Sequence, residues 1–170
     1  MRLFFALWPP RETAQALGRW AREVQEETGG RATAEETIHL TLAFLGDADP
    51  SRATAAARRV QGAKFHLPIE TASYWAHNDI VWAGPRATPA ALASLVADLQ
   101  LALYREEFIM ERRPFAAHIT LLRKAGKPSV LPELPRVAWP ATEFLLVRSA
   151  TTPNGPRYET LDRFPLQADA

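Results

Sequence analysis

Apolar positions along this chain switch between a period of two and a helical period, and the switches mark out its elements. Leu3 to Trp8 is an apolar run that reads as a strand, ended by Pro9-Pro10. From Arg11 to Glu27, Ala14, Leu17, Trp20, Ala21 and Val24 recur at helical spacing, and Gly29-Gly30 predicts the stop. Thr37 to Leu45 is a strand closed by Gly46-Asp47, and Ser51 to Gln61 suits a helix with Asp49 or Ser51 near its start. Phe65 to Tyr74 and Ile80 to Ala83 read as two strands around the turn His77-Asn78-Asp79. Thr88-Pro89 opens a helix to about Tyr104, with Leu92, Leu95, Val96, Leu99 and Leu103 on one face. Phe115 to Arg123 is another strand, 124–140 a proline- and lysine-rich loop, and Glu143 to Ser149 and Tyr158 to Leu161 two last strands around Pro153-Asn154-Gly155-Pro156. Hairpins mixed with helices predict an α+β fold with largely antiparallel sheets.

Composition narrows the chemistry. The 170 residues suffice for one domain with a sizeable core, or two small lobes sharing one, and the chain carries no cysteine. Thiolate catalysis, disulfides and cysteine-ligated metals are excluded. A net charge of +1 means that any polyanion contact must come from a local basic patch. No apolar stretch approaches the ~20 residues that span a bilayer. The N-terminal run is too short for a signal peptide and reads as a first strand. A cytoplasmic location and a monomer, with no membrane contact and no cofactor, are the expectations.

One pattern occurs twice. Residues 39–42 read His-Leu-Thr-Leu and residues 118–121 read His-Ile-Thr-Leu, close to half the chain apart. In a strand, residues i and i+2 share a face. Each copy therefore sets a histidine beside a threonine, with leucine or isoleucine opposite. The two halves do not otherwise align, so the repeat points more to one composite site than to a duplication.

Two imidazoles at one substrate can divide acid and base work, because their reference pKa of ~6.5 lies near working pH. Threonine hydroxyls can hydrogen-bond anionic oxygens, and a nearby arginine can clamp a phosphate with two parallel hydrogen bonds. His39, His118, Thr41, Thr120 and Arg123 thus suit a phosphate ester without a metal. Two histidines with no carboxylate at i±2 are too few to hold a metal ion. Arg123 raises a geometric difficulty: it lies five residues after His118, and strict alternation points it the other way. A twist, a strand end or a bulge must intervene for it to join the site.

Other residues read more plainly. His66 and His77 are ordinary edge or turn residues, and Trp75 and Trp82 read as hairpin packing. Arg58 and Arg59 suit a solvated helix face, whereas Arg112, Arg113, Arg123 and Lys124 could line a groove. Phe5, Phe44 and Tyr74 are candidates to stack a base.

These motifs resemble the two-histidine phosphoesterase superfamily, and within it the bacterial RNA 2′,3′-cyclic phosphodiesterases, also called RNA 2′,5′-ligases. The likeness includes Arg2 to Leu7, Thr37 to Gly46, Arg113 to Arg123, and the tail from Gly155 to Leu161 and Phe164 to Leu166. It thus spans nearly the whole chain, with Ala117 standing where the family often has proline. The resemblance implies a bilobed single α+β domain over 1–170, with two pseudo-related lobes and the active site between them. It implies opening of a terminal RNA 2′,3′-cyclic phosphate to a 2′-phosphate without metal, and reversible 2′,5′ joining of tRNA halves. His39 and His118 are then acid and base, Thr41 and Thr120 bind phosphate oxygens, and Arg123 stabilises added negative charge. His118 is assigned to activating water and His39 to the leaving oxygen. The alternatives are an esterase for small cyclic nucleotides or ADP-ribose cyclic phosphate, and a non-catalytic module that binds RNA ends.

Overall fold

A computed structural model describes residues 1–110 and 113–168. Its first sheet contains β1 (Arg2–Leu7), β3 (Leu40–Asp47), β9 (Glu143–Thr152) and β10 (Gly155–Pro165), in the order β10-β9-β1-β3. Its second contains β2 (Arg31–Ala32), β5 (Thr71–Trp75), β6 (Ile80–Gly84) and β7 (Ile119–Arg123), in the order β2-β7-β6-β5. Every pairing in both sheets is antiparallel. Among the described residues, three α-helices, α1 (Arg11–Thr28), α2 (Pro50–Ala57) and α3 (Ala90–Arg105), complete the α+β fold.

Local chemistry explains the element ends. Helix α1 begins after Pro10 and stops where Gly29 takes φ +66° and donates its N–H to the Gln25 carbonyl at 2.8 Å. Asp49 caps α2 by accepting the Ser51 N–H at 2.9 Å. That helix ends at Ala57, short of the expected Gln61, because Arg59 and Val60 close tighter turns onto the Ala56 and Ala57 carbonyls.

The expected strand Phe65 to Tyr74 is two strands. Pro68 has no N–H to give a ladder, so the chain changes partners around it. Upstream, β4 (Phe65–His66) pairs with β8 (Pro140–Ala141), and downstream, β5 pairs with β6. The loop 124–140 is tied down along α1: Thr13 and Trp20 donate to the carbonyls of Ala138 and Pro132. The last hairpin is longer than expected, because β10 is an edge strand with few buried residues and so carries little apolar signal.

The residues of β1 divide between two apolar clusters by alternation. Leu3, Phe5 and Leu7 enter the main core with Leu17, Leu40, Leu99, Leu121 and Phe144. Phe4 and Ala6 join Leu145 and Val147 on the opposite face, where Trp8 and Tyr158 pack on them. Phe4 and Tyr158 on this second face line the cleft that holds both motif histidines. Strands β3 and β7, which continue the two motifs, belong to different sheets and lie against each other.

Candidate active site

Each motif histidine sits one residue before its strand, tethered in the same way. His39 Nδ1 lies 2.6 Å from the Thr37 carbonyl, and His118 Nδ1 lies 2.8 Å from the Ala116 carbonyl. A carbonyl only accepts, so each Nδ1 carries the proton and donates it. Each Nε2 is then left with its lone pair in the neutral form. The tether at His39 comes from a 3-10 turn, Glu35–Thr37, where the sequence predicts the start of a strand. His39 Nε2 also lies 3.1 Å from Thr41 Oγ1, the i+2 neighbour that alternation predicts.

His39, Thr41, His118, Thr120 and Arg123 all line one cleft of about 730 Å³ formed by residues of both sheets. Arg2 and Arg31 line it too, and no Asp or Glu does among the described residues. The chain as a whole has nearly equal numbers of acids and bases. Three arginines and two histidines without a carboxylate therefore make a local field that favours an anion.

A bulge resolves the difficulty with Arg123. In the β6–β7 pair, Trp82 opposes Thr120 and Val81 opposes Leu122, leaving Leu121 as the extra residue. Leu121 and Leu122 are both buried, while Arg123 emerges exposed on the cleft side. One added residue turns an odd spacing into a shared face.

The two imidazoles have different surroundings. His39 sits among three aromatic rings: Trp8, stacked at 4.7 Å, Phe4 at 5.2 Å and Tyr158, edge-on at 5.3 Å. Burial pushes its pKa down to about 4, against the pull of the Thr37 carbonyl, and the charges of Arg123 and His118 lower it further. His118 is half-buried, with Trp75 at 4.8 Å. Burial also raises the Tyr158 phenol, partly offset by Arg123.

Some expectations are corrected. Phe5 is fully buried in the core and cannot stack a base. Tyr74 lies outside the cleft, its hydroxyl on Asp79, whereas Phe44 is 68% exposed and lines it. Arg113 and Lys124 are exposed but do not line the cleft. Arg112 lies outside the described residues. Sequence reasoning passed over Arg31, Trp8 and the contact of Tyr158 with His39. None has a local pattern, because a long-range sheet register brings each one in.

Comparison with known proteins gives the family. The family described as LigT like Phosphoesterase matches residues 7–82. The RNA 2′,3′-cyclic phosphodiesterase of Escherichia coli (strain K12) is 34% identical over 97% of this chain and 96% of its own length. The protein of that name from Thermus thermophilus is 31% identical over 99% and 92%. The crystal structure of E. coli LigT in apo form superposes with a TM-score of 0.89 at 34% identity, covering 98% of this chain and 97% of that one. Near-complete coverage at this identity, together with the matched fold, shows that the chain belongs to the LigT-like phosphoesterase family.

Proposed function

We propose that this protein is an RNA 2′,3′-cyclic phosphodiesterase that opens a terminal cyclic phosphate to a 2′-phosphate. The observation that carries this reading is the pair of Nδ1-tethered imidazoles beside two hydroxyls and an arginine in one cleft that no carboxylate lines among the described residues. His118 Nε2 takes a proton from water as the water oxygen bonds to phosphorus. The bond from phosphorus to the 3′-oxygen breaks, and His39 Nε2 delivers a proton to that oxygen. The 2′-oxygen keeps the phosphate. Thr41 and Thr120 donate to the non-bridging oxygens, and Arg123 meets the charge that grows on them.

His39 is neutral above about pH 4 in the free protein. An anionic substrate offsets the burial penalty and the repulsion from Arg123, so His39 takes up its proton in the complex. A 5′-hydroxyl in place of water turns the same displacement into 2′,5′ joining, which suits tRNA halves. No step calls on a metal.

Among the described residues, no helix is long and apolar enough to cross a membrane. We read the chain as one domain whose halves each bring a motif, acting as a cytoplasmic monomer.

The test is an RNA oligonucleotide with a 2′,3′-cyclic end, incubated with the protein in chelator. A 2′-phosphate product is expected, with turnover about 10²–10⁴-fold lower in His39→Ala and in His118→Ala. Full turnover in both variants would refute the reading.

A further inference from the structure

Arg31 and Arg123 stand directly opposite each other across the β2–β7 pair, and both line the cleft. Like charges so placed repel and destabilise a sheet. Neither has an ion-pair partner among the described residues, and no carboxylate lines the cleft among them. Arg2 adds a third guanidinium from the other sheet, also without an ion-pair partner among the described residues. A cyclic phosphate carries one negative charge and two non-bridging oxygens. Thr41, Thr120 and Arg123 can already satisfy those oxygens. The remaining cationic charge exceeds what the reacting group can use.

The placement of Arg31 suggests where that charge goes. Its Nη1 reaches across to the turn between β9 and β10, 3.8 Å from where a side chain on Gly155 would begin. Gly155 is three residues along β10 from Tyr158, roughly 10 Å of strand. Tyr158 in turn touches His39. The Arg31 head is therefore displaced along the cleft from the reacting centre, while its backbone stays beside that of Arg123.

We propose that Arg31, with Arg2, forms a second phosphate subsite that holds the phosphodiester on the 5′ side of the terminal nucleotide. The substrate is then an RNA end of at least two nucleotides, rather than a nucleoside cyclic phosphate. This rests on the proposed function and specifies its substrate class. A bound second phosphate also relieves the repulsion between Arg31 and Arg123.

Three substrates test it: a nucleoside 2′,3′-cyclic phosphate, a dinucleotide with the same cyclic end, and that dinucleotide with a neutral methylphosphonate linkage. Charge-assisted hydrogen bonds to phosphate predict that the charged dinucleotide exceeds the neutral one by about tenfold or more in kcat/KM. Arg31→Met should remove most of that preference, and Arg31→Lys should keep part of it by retaining the charge. Equal losses on all three substrates would overturn the proposal, because Arg31 would then act on the reacting phosphate or on the fold. So would a wild-type protein blind to the linkage charge. If the wild-type protein opens none of the three, the proposed function falls. The subsite is then decided by binding of the 2′-phosphate-ended dinucleotides, charged against neutral, followed by fluorescence anisotropy. A preference for the charged linkage that Arg31→Met removes supports it, and no preference overturns it.

Discussion

His39 lies flat against Trp8, with ring centroids 4.7 Å apart and planes inclined by 11°. The indole is itself fixed, because its Nε1–H donates to the Glu36 carbonyl at 3.0 Å, in the turn that leads into His39. Trp8 therefore both orients the imidazole and keeps water from it. Trp8→Ala should let water in and raise the His39 pKa from about 4 toward its ordinary value near 6.5. NMR titration of the His39 ring reads this directly, and an unchanged midpoint would show that other groups bury the ring.

The same depressed value links stability to pH. The folded protein holds His39 neutral down to about pH 4, whereas the unfolded chain binds that proton near pH 6.5. The unfolded state therefore takes up more protons between these values. The stability contribution is complete above about pH 6.5 and is lost as pH falls toward 4. The loss is at most about 3 kcal/mol, by the usual 1.36 kcal/mol per pKa unit. Carboxylates also titrate in this range, so the measurement is a comparison. Urea melts of His39→Gln should lose less stability than wild type between pH 6.5 and 4, and parallel curves would contradict the shift.

The division of labour between the histidines can be read from the leaving group. With sulfur at the bridging 3′ position, the departing thiolate needs no proton. Its conjugate acid has a pKa of about 8.5, far below that of an alcohol. That substrate should restore most of the activity lost in His39→Ala and little of that lost in His118→Ala. The opposite pattern would exchange the two roles.

Arg123 depends on the bulge at Leu121 for its direction and on Gly30 for its position. A Cβ at Gly30 would lie 2.6 Å from the Arg123 carbonyl, and Gly30 has φ +84°. Gly30→Ala should cost about 1–3 kcal/mol in stability through backbone strain. It should also cut turnover, because the backbone under Arg123 must move. Arg123→Ala should lose about 10²–10³ in kcat if its charge meets the transition state. A Gly30→Ala protein with normal Tm and normal kcat would show that β2 can yield without displacing the arginine.

Much of this was legible along the chain. The helical stripes of α1 and α3 and the buried run of β1 are local patterns, and burial followed them residue by residue. The pairing of His39 with Thr41 is equally local, because two residues of strand always share a face. Edge strand β10 hid most of its length because few of its residues are buried. The two-residue strands β2 and β8 are too short to carry a period at all.

The sequence alone determined which side chains were available and how each histidine relates to its threonine. Tertiary structure decided everything that depends on register between distant strands. The bulge that returns Arg123 to the face of His118 exists only in the pairing of β7 with β6. Arg31 meets Arg123 only across β2 and β7, and His39 is buried only because β1 and β10 bring Trp8, Phe4 and Tyr158 around it. Alternation is a property of one strand, whereas register is set by the fit of two. The depressed pKa, the direction of the arginine and the extent of the basic cleft are all properties of that fit.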